Sequence, residues 1–354
     1  MSYFSESAQA GLSLSAGTPT QQPRVTIILP AYNGARFLDR AIGSVLAQTV
    51  SRPTWVLMAI NDGSTDDTLD ILRDYQERYP DNIVVIDQEN HGVARTRNDA
   101  IRRTQTEWLT FLDQDDYFDD TFLESMLNHH DLDECDVVVA GYVHRTLTGK
   151  GVEKIGPFPR GGAYARWMNT GVWGKLHRTT FVIDNDVDFS DTQFGEDTGF
   201  TFLENLAAGP RVGFVASGGY NWVINPQSVS QTMHVTLTPR SYEGFVGLVK
   251  RLVSMREDLG VSDPIVDFHL LCVAAYCLAH SRAPDKASFL AFADDLFAAL
   301  TPLGQSATRN PYIASRPDGM PRVAHILTRI MISAQLSGKM RRIAPAVMFV
   351  QRFL

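Results

Sequence analysis

Between Arg24 and Leu112 short apolar runs alternate with helix-period stretches, and this alternation constrains the fold more than any other feature of the chain. Val25-Thr26-Ile27-Ile28-Leu29 is apolar and β-branched and stops at Pro30, so it reads as a buried strand. Trp55 to Ile60, Ile83 to Ile86 and Trp108 to Leu112 read as three more. Between them, Phe37, Leu38, Ala41, Ile42, Val45 and Leu46 recur at helical spacing. Thr65 to Tyr79 places Leu69, Leu72 and Tyr75 on one helix face, with Thr65 as a candidate cap, and Gly92 to Arg103 reads as a third helix. Strand–helix alternation with short loops predicts an α/β fold: a mostly parallel sheet with helices on both faces. Such sheets bind ligands at the carboxyl ends of their strands. The polar clusters that follow or lead away from the four strands are Ala31-Tyr32-Asn33-Gly34, Asn61-Asp62-Gly63-Ser64, Glu89-Asn90-His91-Gly92 and Asp113-Gln114-Asp115-Asp116. Parallel strands would gather all four on one edge.

The flanks are different in character. Residues 1–23 carry one charge, Glu6, among Ser, Ala, Gly, Thr and Gln, and are expected to be a disordered tail. Residues 24–238 form the expected α/β domain, and 239–354 an expected helical region. In the latter, Phe245, Leu248, Val249, Leu252 and Val253 share a face. Asp263-Pro264 supplies an N-cap and first helical residue, and Phe289, Phe292, Leu296 and Leu300 mark a further helix. Gly319 to Leu354 holds six Lys and Arg and no acid, so with a net charge of −8 the preceding residues carry −8 − 6 = −14. An acidic chain is a poor nucleic-acid binder, since phosphate backbones require a basic face. Cys135, Cys272 and Cys277 are odd in number and lack CxxC spacing, which argues against a disulfide framework or zinc and for a reducing compartment. No apolar run reaches the roughly 18 residues that span a bilayer, and no leader pattern opens the chain, so a cytoplasmic location is expected.

Asp113-Gln114-Asp115-Asp116 concentrates three carboxylates in four residues. Like charges so close repel unless a cation offsets them, and Mg²⁺ typically takes one or two carboxylates together with substrate phosphates. A metal bridging to a diphosphate is one reading. A solvated acidic turn capping a helix that begins near Asp119 is the other. Asp62 sits among ordinary turn formers, and a turn alone accounts for it. His91-Gly92 leads into a helix with Arg95 and Arg97; a helix N-terminus with arginines attracts phosphate, and so ordinary a feature is also a plain surface helix. Tyr32 is suited either to stacking on a base or to packing.

Taken together, Ile28-Leu29-Pro30-Ala31-Tyr32-Asn33, Asn61-Asp62-Gly63-Ser64-Thr65-Asp66, His91-Gly92 through Arg97-Asn98, and Leu112-Asp113-Gln114-Asp115-Asp116 resemble glycosyltransferase family 2, of GT-A fold. The resemblance is specific to about residue 130 and looser to about 235. It divides the catalytic domain into a nucleotide-binding half (24–130) and an acceptor half (131–238). It implies that Pro30, Tyr32, Asp62, Gly92, Arg97, Asp113 and Gln114 bind the donor. In that scheme Tyr32 and Asp62 hold the base, Asp113 meets the ribose or the metal shell, and Arg97 lies near the phosphates or braces the aspartate loop. Asp115 would ligate Mn²⁺ or Mg²⁺, with His234 as a further ligand. Val172-Trp173-Gly174-Lys175-Leu176-His177-Arg178 resembles a stretch preceding the acceptor site, which implicates Trp173 and Lys175. Phe194-Gly195-Glu196-Asp197 matches a Glu-Asp motif in which Glu196 meets acceptor and Asp197 is the general base; the two acids also suit the start of a helix over 198–206. Around Asn225-Pro226-Gln227-Ser228-Val229-Ser230 the usual arginine is absent.

The resemblance implies an inverting transfer from a UDP-sugar to a glycan, polyol-phosphate polymer or other hydroxyl acceptor, in teichoic acid or other cell-surface polysaccharide synthesis. The QxxRW motif of processive synthases is missing, so transfer of one or a few sugars is expected. Two rivals share the pattern. A nucleotidyltransferase would carry a Gly-rich basic loop after the first strand, where this chain has Ala31-Tyr32-Asn33-Gly34 and only Arg36 nearby. A non-catalytic scaffold on the same fold need not keep Asp62, Asp113, Asp115 and Asp197 together. In the basic tail, Ile326, Leu327, Ile330 and Met331 give an apolar face beside Arg322, Arg329, Lys339, Arg341 and Arg342. Such a tail suits the inner face of the cell membrane, a homo-oligomer contact or docking on the chain's own core.

Overall fold

The computed structural model describes residues 22–155, 164–167, 170–190, 195–209, 211–225, 236–304, 308–318, 320 and 322–350. The expected N-terminal tail lies, but for its last two residues, outside them. Two compact units emerge, and they do not follow chain order. The first comprises Met1–Pro157, Val172–Phe189 and Pro210–Val223; the second comprises Phe158–Gly171, Ser190–Gly209 and Ile224–Leu354.

The first unit is built on a nine-stranded mixed sheet of order β3-β2-β1-β4-β8-β6-β9-β5, with β7 paired to β6. Its parallel part contains β1 (Val25–Ala31), β2 (Trp55–Asp62), β3 (Ile83–Gln88) and β4 (Trp108–Phe111). Every residue of β1 and β2 is buried, as expected of strands covered on both faces. On one face, Val25, Ile27, Leu29, Leu57 and Ala59 pack with Leu38, Ala41, Ile42 and Val45 of α1 (Ala35–Leu46) and with Leu72 and Tyr75 of α2 (Thr68–Arg78). Beyond β4 the pairing turns antiparallel, through β8 (Lys175–Arg178) to β6 (Val137–Thr146), and β7 (Gly151–Ile155) adds to β6. β9 (Val212–Ile224) pairs antiparallel with the short β5 (Tyr117–Phe118). Two helices, α4 (Phe122–Leu127) and α5 (Thr179–Asp184), complete this unit with α3 (Val93–Arg103). The Asn98 side chain of α3 donates to the Phe189 carbonyl (2.7 Å) and accepts from its N–H (2.8 Å), so one amide holds a segment 91 residues away.

Several element ends depart from the sequence expectation by a few residues, and two of them have a plain local cause. β1 runs past Pro30 to Ala31. β4 ends opposite Ile28, so the last residues of β1 pair with β2 alone, and a proline without an N–H is tolerated in such a position. α2 starts at Thr68 rather than Thr65 because the Asp66 carboxylate accepts from the Thr68 N–H, while Thr65 turns back to Asn33 Oδ1.

The second unit is helical. α6 (Glu196–Ala208) precedes α7 (Pro239–Asp258), α8 (Pro264–His280), α9 (Lys286–Ala298), the one-turn α10 (Pro311–Ala314), α11 (Arg322–Leu336) and α12 (Met340–Val350). Their starts are written in side chains. Thr238 and Ser241 form a capping box, and Asp263, Asp285 and Asn310 each accept a main-chain N–H of the first turn. The core joins Phe245, Val249 and Leu252 to Phe268, Leu271 and Ala274, and to Phe289, Phe292 and Leu296. Among the described residues no helix is long and apolar enough to cross a membrane.

One buried histidine makes this core sensitive to acid. His269 on α8 lies against Trp167 (4.6 Å between ring centroids) and meets the Tyr164 hydroxyl at Nδ1 (3.1 Å). Burial lowers its pKa from 6.5 to about 3. The unfolded chain therefore takes up a proton that the folded chain refuses. The stabilising difference is whole above pH 6.5 and shrinks as pH falls from 6.5 towards 3, by about 1.4 kcal/mol per pH unit. His269→Gln removes this titration. Urea denaturation between about pH 4 and pH 7 should show a shallower loss of stability for the variant, and equal slopes would mean that His269 is not the group responsible.

Candidate active site

Strand register brings the polar clusters level. Ala31 lies beside Asn61, Asn61 beside Asp87, and Asp62 beside Gln88, so the ends of β1, β2 and β3 form one edge. The loops beyond are tied to each other by side chains. Gln114 Oε1 accepts from the Tyr32 N–H (2.9 Å) and its Nε2 donates to the Tyr32 carbonyl (3.2 Å). A Cβ on Gly34 would stand 2.0 Å from Gln114 Oε1, so the clamp requires glycine there. The Asn33 N–H donates to Ser64 Oγ (3.0 Å), and Asn33 Oδ1 accepts from the Thr65 N–H (2.8 Å). Tyr32 itself is left 49% exposed at the loop edge.

Asp62 is a buried acid of this edge. Its Oδ1 accepts from the His91 N–H (2.9 Å) and from Gln88 Nε2 (2.9 Å), and its Oδ2 accepts from the Gly92 N–H (3.0 Å). A carboxylate offers about four acceptor positions. Three are used in holding the loop before α3, and Oδ2 retains capacity for another donor. Gly63 beside it has φ +71° and would set a Cβ 2.6 Å from the Asn90 nitrogen, which fixes how closely the second and third clusters approach.

The three neighbouring acids have three different environments. Asp113 accepts from Arg97 (2.6 Å), whose buried guanidinium lies 5.1 Å from the Phe189 ring centroid. Asp116 is buried: its Oδ1 accepts from the Val223 N–H (2.7 Å) and its Oδ2 from the Tyr220 hydroxyl (2.7 Å). The same hydroxyl accepts from the Asp113 N–H (3.3 Å). Burial pushes the Asp116 carboxyl well above the usual range, and the charges of Asp113 and Asp115 add to the rise. Asp115 lies half-buried between them, its carbonyl accepting from Arg40 (2.8 Å). Among the described residues no three His, Cys, Asp or Glu side chains converge as a complete cation cage. Hard oxygen donors in negative surplus nevertheless suit a divalent cation whose remaining ligands come from phosphate and water.

The other sequence-selected residues fall as follows. Pro30 is buried within β1, and the exposed Gly92 opens α3 with φ +84°. Trp173 stacks with Tyr220 (4.9 Å) and Trp222 (6.0 Å), two residues of β9. Lys175 is only 1% exposed, at the start of β8, with its carbonyl accepting from Thr110 Oγ1 (2.6 Å). Glu196 and Asp197 belong to the second unit, in the first turn of α6, where acids complement the helix dipole. The residue before them, Gly195, takes φ +67° and faces Leu248 so closely that a Cβ would stand 2.7 Å from it. His234 and the segment 226–230 lie outside the described residues. Sequence reading missed Gln88 and Tyr220. Gln88 ends β3 without a turn signal, and Tyr220 reaches Asp116 from 104 residues away.

Replacing Asp62 tests whether the edge is one connected object. Asp62→Ala leaves the N–H groups of His91 and Gly92 without their charged acceptor, and a hydrogen bond to a charged group is worth about 1.5–3 kcal/mol. The denaturation midpoint should fall, and amide hydrogen exchange at His91 and Gly92 should accelerate. An unchanged midpoint with unchanged exchange would show that these bonds hold nothing.

The family model described as Glycosyl transferase family 2 matches residues 26–185. TuaG of Bacillus subtilis, a glycosyltransferase named for teichuronic acid biosynthesis, is 32% identical over 165 residues, 47% of this chain and 64% of TuaG. A poly(ribitol-phosphate) beta-glucosyltransferase of Bacillus spizizenii is 25% identical over 239 residues, 65% of this chain and 36% of that protein. The chain thus spans less than two thirds of either relative. Among solved structures, residues 1–349 of Staphylococcus aureus TarS in complex with UDP-GlcNAc superpose with a TM-score of 0.62 at 19% identity, over 89% of this chain and 92% of that one. The UDP complex of the same protein gives 0.60 at 20% identity with the same coverage. The likeness identifies the fold as GT-A.

Proposed function

We propose that this chain, whose residues 26–185 match the model of glycosyl transferase family 2, transfers a sugar from a UDP-sugar to a hydroxyl of a polyol-phosphate or related cell-surface polymer. The observation that carries the reading is the hydrogen-bonded edge, in which Tyr32, Asp62 and the Asp113–Asp116 loop are held together by side-chain bonds between loops. An exposed tyrosine ring beside a carboxylate with a spare acceptor position suits a uracil base, which offers a flat face and an N–H. The acidic loop a few residues away suits the diphosphate through a divalent cation. The donor and acceptor classes rest on the relatives, whose names specify a ribitol-phosphate polymer and whose solved complexes contain UDP and UDP-GlcNAc.

Roles follow from the chemistry. Asp115, with Asp113 beside it, would hold Mn²⁺ or Mg²⁺; when bound, the ion supplies charge neutralisation on the diphosphate. Arg97 positions Asp113. Asp197 is the base on the resemblance of its Glu-Asp motif. It takes the proton of the acceptor hydroxyl as that oxygen bonds to the anomeric carbon. The bond from that carbon to the diphosphate oxygen breaks, UDP departs with the electron pair, and the anomeric configuration inverts. Trp173 and Glu196 are assigned to the acceptor on the same resemblance. Lys175, buried as it is, would act from within the wall and not as a surface contact.

Two variants test the scheme. Asp197→Asn should lower transfer by roughly 10²–10⁴-fold, the usual worth of a positioned base, with UDP affinity retained. Asp115→Asn should weaken UDP binding in the presence of Mn²⁺ and leave binding in EDTA unchanged. Release of UDP from a panel of UDP-sugars with poly(ribitol-phosphate) as acceptor reads the first, and calorimetric titration of UDP reads the second. Full transfer by Asp197→Asn removes it from the mechanism, and an identical loss with and without metal removes Asp115 from the metal.

A further inference from the structure

The last two helices present an outer surface that the transfer reaction does not use. α11 is fixed to the second unit by one side: His325, Thr328, Met331 and Ile332 are buried there. Its opposite side carries Ile326, Leu327 and Ile330, which are 46%, 42% and 48% exposed, with Arg322 and Arg329 also in solvent. A helix that needs only one apolar side to pack has therefore been given two. The chain turns after α11 at Gly338 (φ +66°), where the Lys339 N–H donates to the Ala334 carbonyl (2.7 Å), and α12 follows at once.

α12 repeats the pattern. Met340 and Ala344 are buried, while Arg341, Arg342, Pro345, Ala346 and Phe349 are exposed, Phe349 at 59%. Helical spacing places Phe349 in line with Arg341 and Pro345 and adjacent to Arg342. Both outer faces thus combine large apolar side chains with arginines, and Gly319 to Leu354 contains no acid. An acid from elsewhere that meets α11 is Asp294, which accepts from Gln335 (2.8 Å). In a chain whose remaining residues sum to −14, a surface of this composition is complementary to a negatively charged, partly apolar partner.

We propose that the outer faces of α11 and α12 dock on an anionic lipid bilayer, with Ile326, Leu327, Ile330 and Phe349 entering the headgroup boundary and the arginines pairing with lipid phosphates. Basic residues alone would give a salt-sensitive association with any polyanion, and apolar residues alone would favour self-association. Their interleaving on two successive helices is what an interfacial helix requires. The docking is peripheral, through side chains on helices that stay folded on the unit.

Co-sedimentation of the full chain with vesicles tests this. Vesicles of phosphatidylglycerol and phosphatidylcholine should bind it, and pure phosphatidylcholine should bind it far less. Arg322→Gln with Arg329→Gln should lower binding to the anionic vesicles by roughly 10-fold or more, and Ile326→Ser with Ile330→Ser should lower it comparably. UDP binding and the melting temperature should be unchanged in both, which separates docking from folding and from donor recognition. Equal binding to both vesicle types, or binding that survives both variants, overturns the proposal. So does a dimer in sedimentation velocity without lipid that the isoleucine variant dissolves, since the face would then belong to a second copy.

Discussion

The clamp between the Gln114 side chain and both main-chain groups of Tyr32 is the interaction on which the candidate site depends. β1 and β4 lie side by side in the sheet, but ladder bonds end near Leu112, whose N–H reaches the Ile28 carbonyl. Past that point nothing in the sheet fixes one loop against the other. One amide that both donates and accepts can tie the two chains again beyond the ladder, because it presents the donor and acceptor of a main-chain neighbour. The requirement for glycine at residue 34 follows directly, since any side chain there would occupy the space that Gln114 fills. Asp62 does the same between β2 and α3 with a charged acceptor, which binds main-chain N–H groups more strongly than a neutral one.

The acidic loop shows how a charged cluster divides its labour. Asp113 is offset by Arg97, and Asp116 by two hydrogen bonds inside the protein. Asp116 is nonetheless pushed towards its neutral form by burial and by its two neighbours. Tyr220 links the two acids through one hydroxyl and so ties β9 to the loop. Asp115 lies between them in sequence and is half-buried, as Asp113 is. A cation at this loop would relieve the repulsion that all three share.

Much of the parallel sheet was legible in the sequence because buried strands are continuous apolar runs and their helices keep a 3.6-residue period. The cap at Asp263 and the apolar faces over 245–253 and 289–296 were legible for the same kind of local reason. The antiparallel strands were not. β6 and β8 mix buried and half-exposed positions, and the partners of β6, β8 and β9 are set by distant segments. Nor could chain order reveal that 190–209 joins the helical unit while 210–223 returns to the sheet. At the site, the polar clusters could be found by composition. The roles of Asp66 and Asp116 as internal acceptors could not, because a carboxylate that caps or braces looks the same in sequence as one that binds a ligand.

That ambiguity has a physical basis. Loops beyond a sheet edge carry main-chain groups that need partners, and Asp, Asn, Gln and Ser are the residues that supply them. The same residues supply ligand contacts. A site at the carboxyl edge of a parallel sheet must therefore satisfy its own backbone and its substrate from one set of side chains. Asp62 illustrates the solution: three of its acceptor positions are committed to Gln88, His91 and Gly92, which fixes its orientation, and the remaining capacity on Oδ2 then points in a direction set by the fold. On the function proposed above, rigidity and recognition would be two uses of one carboxylate, so a substitution that spares the charge pattern but breaks the internal bonds would be expected to blur recognition as surely as removing the acid.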